Sequence, residues 1–180
     1  MKINLGSGYK RHQGYVNVDG DELTSPDYVV DLERDRFPFD DNTVTDVIAH
    51  HVLEHIGAGY FHLLQELYRV CKNGAIIDIR VPHPRHETFL NDPTHVRPIT
   101  VNGLGLLSQK ANREDIANGG HFSALGISYK VDFEVVEFMH SPDPYYKDIT
   151  FGMDEKTKER LFRETNNSLV EIFIKLKVVK

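Results

Sequence analysis

The sequence contains a single cysteine, Cys71, among its 180 residues, so no disulfide can form within the chain. Such cysteine usage is typical of a reducing compartment. No apolar run approaches the ~18 residues needed to span a bilayer, and the opening "MKINLGSG" enters a strand pattern without the apolar core of a signal peptide. We therefore expect a soluble cytoplasmic protein without a membrane partner.

An excess of basic charge is also missing, because the formal net charge is -6 and the pI is about 5.9. A nucleic-acid-binding protein usually carries a basic face, so bulk nucleic acid is an unfavourable partner. Internal repeats and low-complexity segments are absent from the sequence. Its length suits a single domain, residues 1–180, with a proper hydrophobic core.

Short strands ending in Gly or Asp dominate the first part of the chain. They are "KINL", "YVNVD", "DYVVDL", "TDVIAHH" and "AIIDIRV". One amphipathic helix, Tyr60 to Lys72, precedes the last of them, and Asn73-Gly74 is expected to end it. This order predicts an open α/β sheet with mostly parallel strands.

The later part of the chain has a different pattern. Residues 83–128 are polar and interrupted by prolines, which predicts an irregular lid or substrate insertion. Two long alternating segments follow, "SYKVDFEVVEFMH" and "SLVEIFIKLKVV", with the exposed helix "MDEKTKERLFRET" between them. Their alternation favours antiparallel pairing at the carboxy-terminal edge of the sheet. The second segment could cover the domain's own core or pair across a homodimer.

Ligands of open α/β sheets bind beyond the carboxyl ends of the strands. Gly6-Ser7-Gly8 follows the first strand, and a glycine turn lets a ligand approach the backbone closely. Asp19 ends the second strand, where an acid can accept hydrogen bonds from ribose hydroxyls. Asp31 ends the third, where it can help to hold an adenine. Together these residues predict a nucleoside pocket.

The spacing after the glycine turn discriminates between nucleoside cofactors. Only Tyr9 to Gly14 separate Gly8 from the second strand, whereas a parallel crossover normally needs about a dozen residues. A dinucleotide would lose the helix N-terminus that usually holds its pyrophosphate. A cofactor without phosphate, such as S-adenosylmethionine, would lose much less.

The segments "NLGSG", "VNVD", "DLERDRFPFDDNTVTDVIAHHVLEHI" and "ELYRVCKNGAIIDIRVP" resemble those of class I S-adenosylmethionine-dependent methyltransferases. More narrowly, the chain is similar to a small bacterial branch with a shortened first crossover. The resemblance implies a Rossmann-like sheet of seven strands, the last antiparallel. It also implies a set of residues that border the methionine part, the ribose, the adenine and the reactive sulfonium of the cofactor: Leu5, Gly6, Ser7, Gly8, Asp19, Asp31, Leu32, His50 and His51.

The stretch His51-Val52-Leu53-Glu54-His55 spells H-x-x-E-H, the pattern of one class of zinc peptidase. A zinc peptidase needs a further protein ligand and a metal-bound water, and Glu66 is the downstream acid available. In the family that the chain resembles, the same letters commonly follow the fourth strand and begin a helix. We therefore interpret the motif as part of the floor of the cofactor site or as a structural element, rather than as a zinc site.

A second polar cluster, in "HPRHETFLNDPTH", follows the fifth strand and should face the same site. Its side chains could bind zinc, manganese or iron, or they could form a polar lid, so we assign no metal ligands from the sequence. Histidine is well matched to proton transfer near neutral pH. The candidate bases are His83, His86 and His95, and Asp92 is the carboxylate that would orient one of them.

The resemblance implies a methyltransferase that acts on a small-molecule or sugar acceptor by in-line methyl transfer from S-adenosylmethionine. Arg85 and Arg97 could meet an anionic group of that acceptor. Two alternatives stay open: a non-catalytic protein that binds S-adenosylmethionine, and a metal-dependent hydrolase built on the cluster from His83 to His95.

Overall fold

Seven strands form one sheet in the spatial order β3-β2-β1-β4-β5-β7-β6. The first five strands run parallel, and β7 is antiparallel to both of its neighbours. This confirms the mostly parallel sheet with an antiparallel pair at its carboxy-terminal edge. The computed structural model describes all residues from Met1 to Lys180, and the strands are β1 Lys2–Leu5, β2 Val16–Asp19, β3 Tyr28–Val29, β4 Val44–His50, β5 Cys71–Pro82, β6 Phe133–Pro142 and β7 Leu169–Val178.

Helices of very different lengths connect the later strands. The longest, α1, ends at Val70, because β5 begins at the next residue, Cys71. The helix was predicted to continue to Lys72 and to stop at Asn73-Gly74. Gly74 instead has a φ of +80° inside β5, near the point where the register against β4 shifts. The helices are α1 Tyr60–Val70, α2 Glu87–Leu90, α3 Val101–Gly105, α4 Gln109–Ala117, α5 Leu125–Tyr129, α6 Pro144–Ile149 and α7 Glu155–Glu164.

Residues 83–128 are not the irregular excursion that the sequence suggested, because they contain α2, α3, α4 and the start of α5. Each of the first three is begun by a side chain that accepts a backbone N–H: His86, Thr100 and Ser108. Helices of four to nine residues are too short for the 3.6-residue period to stand out from a polar sequence.

The first three crossovers of the sheet lack an α-helix. Residues 6–15 form turns, as the short first crossover predicted, and residues 20–27 contain only a 3-10 turn at Glu22–Thr24. Residues 30–43 form a long loop. Parallel sheets normally carry helices on both faces, so here the site at the strand ends is bordered by loops rather than by helix N-termini.

Two acids, the half-buried Glu33 and the buried Glu66, fasten that long loop to α1. Glu33 accepts the backbone N–H groups of Gly57 (3.0 Å) and Gly59 (2.7 Å) at the start of the helix. Glu66 accepts the N–H of Phe37 at 2.8 Å and forms an ion pair with Arg69 at 2.7 Å. Glu66 therefore has a structural role, which removes it as the further ligand of a zinc peptidase.

One cluster of 32 buried residues forms the core. Cys71 lies in it, and burial raises the pKa of its thiol to about 12, which makes the thiol unreactive. Strand β7 lies between β5 and β6, so the pairing of its backbone across a homodimer is ruled out because both of its edges are occupied. None of the helices has the length and apolar character needed to cross a membrane.

Candidate cofactor and acceptor site

The turn after β1 packs tightly against the loop after β4. Gly6 has a φ of +56°, and a Cβ built on it would lie 2.5 Å from Cγ2 of Val52. Ser7 donates its N–H to the carbonyl of Val18 at 3.1 Å. Its hydroxyl is buried and has no hydrogen-bond partner. Since buried polar groups are nearly always paired, the Ser7 hydroxyl is available to a ligand at this turn.

Asp19 lies directly beside the glycine turn. One carboxylate oxygen accepts the N–H of Gly8 at 2.7 Å, and the other accepts the N–H of Asp21 at 2.9 Å. A carboxylate offers about four acceptor positions. The hydrogen bonds within the chain therefore orient Asp19 and leave capacity for two hydroxyls of a ligand.

The third strand is shorter than "DYVVDL" predicted, since β3 is only Tyr28–Val29. Asp31 consequently lies in the following turn, exposed, where its Oδ1 accepts the N–H of Glu33 at 2.9 Å. Leu32 is 8% exposed, and Leu5 is fully buried in the core. Leu5 can therefore border a ligand only through its backbone.

A cavity of about 140 Å³ opens at the carboxyl ends of β1 and β4. Ligand pockets usually measure roughly 300–1,000 Å³, so this one fits part of a nucleoside cofactor. Arg80 lines it, with a buried Nε that has no hydrogen-bond partner. The sequence did not single out Arg80, although a charge within the apolar "AIIDIRV" is the signal that could have done so. The lining residues are Asn4, Gly6, Ser7, Lys10, His12, His50, His51 and Arg80.

The two histidines at the carboxyl end of β4 have different environments. His50 Nε2 lies 2.7 Å from Oδ1 of Asp78, and burial lowers the pKa of its imidazole. His51 has a φ of +55° and lies between two carboxylates, with Nδ1 3.3 Å from Glu54 and Nε2 3.0 Å from Glu171. The Glu54 carboxylate raises the pKa of His51.

The H-x-x-E-H residues do not form a peptidase-type helix. Leu53–His55 is a single 3-10 turn, and the left-handed backbone of His51 takes it off any helical face shared with His55. Glu54 is fully buried, and neither of its carboxylate oxygens has a hydrogen-bond donor.

The structure divides the predicted catalytic cluster into separate places. His86 is 4% exposed; its Nδ1 accepts the N–H of Thr88 at 3.1 Å and its Nε2 lies 3.4 Å from Asp143. His83 faces His140, with ring centroids 5.9 Å apart. His86 therefore begins α2, while His83 borders open space.

Asp92 and His95 do lie together, with 3.8 Å between Oδ2 and Nε2. His95 also meets two residues of the H-x-x-E-H motif. One ligand atom each from Glu54, His55 and His95 lies within 4.8 Å of the other two. The sequence suggested metal ligands within each motif separately and missed this combination, which depends on how the loop after β5 folds back on the loop after β4.

Two adjoining cavities of about 350 and 490 Å³ lie beyond the end of β5 and share His83, Arg85, Phe138 and His140. Burial, with the positive charge of Arg85, lowers the pKa of His83 to about 4. His83 is therefore neutral at pH 7. These cavities have the size of a small-molecule site.

The two arginines expected to meet an anionic acceptor already have partners. Arg85 donates to the carbonyls of Arg163 and Phe162 at the end of α7, at 2.7 and 2.6 Å. Arg97 donates to the carbonyls of Ile56 and Gly57 and stacks on the ring of Tyr60. Both guanidinium groups hold loops in place.

Comparison with known proteins supports the resemblance over part of the chain. Residues 10–79 match the family model of the methyltransferase domain. A search of curated protein sequences gave no match. The match to the family model and the sheet order confirm the resemblance to class I methyltransferases, whose cofactor is S-adenosylmethionine.

Solved structures share the fold at low identity. An S-adenosylmethionine-dependent methyltransferase from Archaeoglobus fulgidus is 19% identical, with a TM-score of 0.59 over 98% of this chain and 85% of that one. The [4+2]-cyclase SpnF is 11% identical, with a TM-score of 0.56 over 99% and 75%. Phosphoethanolamine N-methyltransferase 2 of Haemonchus contortus, in complex with S-adenosylmethionine, is 13% identical, with a TM-score of 0.57 over 99% and 48%. At such identities the likeness shows the fold alone.

Proposed function

We propose that this chain, which carries the methyltransferase domain on the class I fold, transfers the methyl group of S-adenosylmethionine to a small-molecule acceptor. The observation that carries the proposal is the turn Gly6-Ser7-Gly8, where a side chain at Gly6 would collide with Val52 and the buried hydroxyl of Ser7 lacks a partner. A ligand that donates to or accepts from this hydroxyl would satisfy it.

We assign residues of the small cavity, and three residues of neighbouring turns that do not line it, to the separate parts of the cofactor. Lys10 and Arg80 both line it, and we assign to them the carboxylate of the methionine part, because a guanidinium pairs well with a carboxylate. Asp19, which the Gly8 N–H orients, accepts the ribose hydroxyls. Asp31 and Leu32, at the start of the long loop, border the adenine.

When bound, S-adenosylmethionine supplies a methyl group that its sulfonium activates for in-line displacement. The protein's contribution is mainly alignment. In this proposal His50 and His51 form the wall nearest the sulfonium. The Asp78 carboxylate fixes the ring of His50, and Glu54 and Glu171 fix that of His51.

The acceptor occupies the two cavities beyond β5, and His83 takes the proton of its hydroxyl or amine. Among the four candidates His83 is the one that lines both cavities, and its lowered pKa keeps the imidazole unprotonated at neutral pH. His86 positions the loop through Thr88 and Asp143. Asp92 and His95 lie near Glu54 and His55 and line neither of the two cavities.

Calorimetric titration with S-adenosylmethionine and S-adenosylhomocysteine tests the cofactor assignment. Wild type should bind both with micromolar affinity, and Asp19→Ala should weaken binding at least about tenfold, since two hydrogen bonds to a charged group are lost. Asp40→Ala, which removes an exposed acid of the long loop, is the matched control for net charge. A folded wild type that binds neither compound would overturn the proposal.

Two other readings make different predictions. A non-catalytic S-adenosylmethionine-binding protein would bind the cofactor but consume none in the presence of any acceptor mixture. The cyclase SpnF shows that this fold also occurs in a protein named for another reaction. A hydrolase built on His83 to His95 is disfavoured because His83 and His86 lie apart from His95 in the structure. We also propose a cytoplasmic location, which suits a single buried thiol.

A further inference from the structure

Glu54 presents an unusual electrostatic situation. Its side chain is 1% exposed, and both carboxylate oxygens lack a hydrogen-bond donor. His51 Nδ1 is the nearest cationic neighbour, 3.3 Å from Oε1, but it is not aligned as a hydrogen bond. A buried carboxylate is costly unless it is paired or coordinates a metal ion.

Two imidazoles complete a cluster around this carboxylate. The rings of His55 and His95 have centroids 4.7 Å apart, and one nitrogen of each lies within 4.8 Å of an oxygen of Glu54. His55 Nδ1 is bound to the hydroxyl of Thr94 at 2.8 Å, and His95 Nδ1 donates to the carbonyl of Phe89 at 2.9 Å. These bonds leave Nε2 of both rings with a lone pair for a ligand.

The surroundings of the two rings resemble the outer shell of a metal site. A metal-binding histidine usually donates its other ring N–H to a carbonyl or carboxylate, which fixes the tautomer. The Phe89 carbonyl has this position for His95, and the ring of Phe89 stacks on it with 5.4 Å between centroids. Asp92 lies on the other side of the ring, where the free nitrogen is, since its Oδ2 is 3.8 Å from His95 Nε2 while its Oδ1 accepts from Thr94.

We propose that Glu54, His55 and His95 bind a divalent transition-metal ion, with zinc as the best match. Two imidazoles and one carboxylate are the ligand set of zinc sites that keep an open position. Their ligand atoms already lie within 4.8 Å of one another, and the ion would draw them together. Asp92 or water takes the fourth position.

This site adjoins the cofactor cavity without belonging to it. Glu54 contacts His51, which lines the cavity, whereas His55 and His95 do not line it. Metal binding can therefore be measured on the protein alone, whether or not S-adenosylmethionine binds.

The test is calorimetric titration of the metal-free protein with zinc chloride, with cobalt(II) chloride as an optical probe. Wild type should bind one equivalent of zinc, and bound cobalt should give the visible absorption of a site with imidazole and carboxylate ligands. Glu54→Gln, which keeps the shape of the side chain, should weaken zinc binding about 100-fold or more, as should His95→Ala.

His121→Ala is the matched control, because His121 is exposed and far along the chain from the cluster; its affinity for zinc should equal that of wild type. Circular dichroism checks that each variant is folded, and His55→Ala replaces Glu54→Gln should the latter unfold. Absence of stoichiometric zinc binding by folded wild type would overturn the proposal. Equal binding by wild type, Glu54→Gln and His95→Ala would also overturn it, since the ion would then lie on surface histidines.

Discussion

Gly6 has both a left-handed backbone and a close neighbour at its Cβ position, a combination found at no other glycine of the chain. Its φ of +56° is costly for any residue with a Cβ, and that Cβ would also meet Val52 at 2.5 Å. Val52 is 5% exposed and its β-branched side chain is stiff, so it cannot easily move aside. The turn that lines the cofactor cavity thus depends on a residue without a side chain.

Gly6→Ala should lower the free energy of unfolding by about 3 kcal/mol, through the left-handed backbone and the collision together. Gly14 has a φ of +81° but nothing within 4 Å of its would-be Cβ, so Gly14→Ala should cost only about 1 kcal/mol. Urea denaturation of both variants measures the difference. Equal losses would show that Val52 exerts no steric constraint.

His83 should make the protein sensitive to acid. Its pKa is about 4 in the folded chain, against 6.5 for an unperturbed histidine, because burial disfavours the charged imidazole and the nearby Arg85 guanidinium repels it. The unfolded chain then binds more protons between these two values. The contribution of neutral His83 is therefore fully present above pH 6.5 and is lost as the pH falls toward 4.

Between pH 7 and 4.5 wild type should lose about 2 kcal/mol more stability than His83→Gln, whose side chain does not titrate in this range. Chemical denaturation at a series of pH values gives both curves. The carboxylates common to the two proteins titrate equally and cancel in the comparison. Parallel curves would mean that His83 is not desolvated in the native state.

The loop over residues 30–43 takes the place of a helix, and Arg69 of α1 holds it. The guanidinium donates to the carbonyls of Phe37 and Phe39 at 3.0 and 2.8 Å and pairs with Glu66 and Asp41, both at 2.7 Å. Side-chain exposures of 17% for Arg69 and 11% for Glu66 place this pair largely out of solvent. Since Asp31 and Leu32 begin the same loop, this ion pair also supports the adenine end of the proposed site.

Arg69→Gln should cost about 3 kcal/mol, because it leaves the buried Glu66 carboxylate unpaired. Arg36→Gln is the matched control: its side chain is 75% exposed and lies 3.9 Å from Asp41, so its loss should stay below about 0.5 kcal/mol. Adding Glu66→Gln to Arg69→Gln should restore part of the stability. Thermal or urea unfolding that shows no difference between the two arginine variants would contradict the structural role of Arg69.

Strands and helices with a clear alternation or helical period of apolar residues could be predicted from the sequence. Elements whose position depends on side-chain caps or on contacts with distant segments could not. The strand "KINL" and the helix from Tyr60 showed their apolar faces directly, so their positions were confirmed within a few residues. The four-residue helix α2 begins on the imidazole of His86, a cap that the usual capping residues do not suggest. The left-handed backbone of His51, which takes it off any helical face shared with His55, has no sequence signal at all.

At the scale of the whole molecule, the topology brings together segments that are distant in sequence. Reversal of strand order between β1 and β4 opens the crevice that the glycine turn and His51 line, and Asp19 is hydrogen-bonded to Gly8 of that turn. Sequence could place these residues because strand ends are readable. It could not place His95 beside Glu54, since the intervening loops fold back through contacts such as the Val96 N–H to the Glu54 carbonyl at 2.9 Å.

The measurement that tests the central claim most directly is an amide correlation spectrum of the nitrogen-15-labelled protein during titration with S-adenosylhomocysteine. The account predicts saturable shifts of the amide signals of Gly6, Ser7, Gly8 and Asp19, with smaller changes at Asp31 and Leu32. Signals of the far edge strand β6 should stay in place. Saturation without any shift at the glycine turn, or shifts confined to other surfaces, would contradict the assignment of this crevice as the cofactor site.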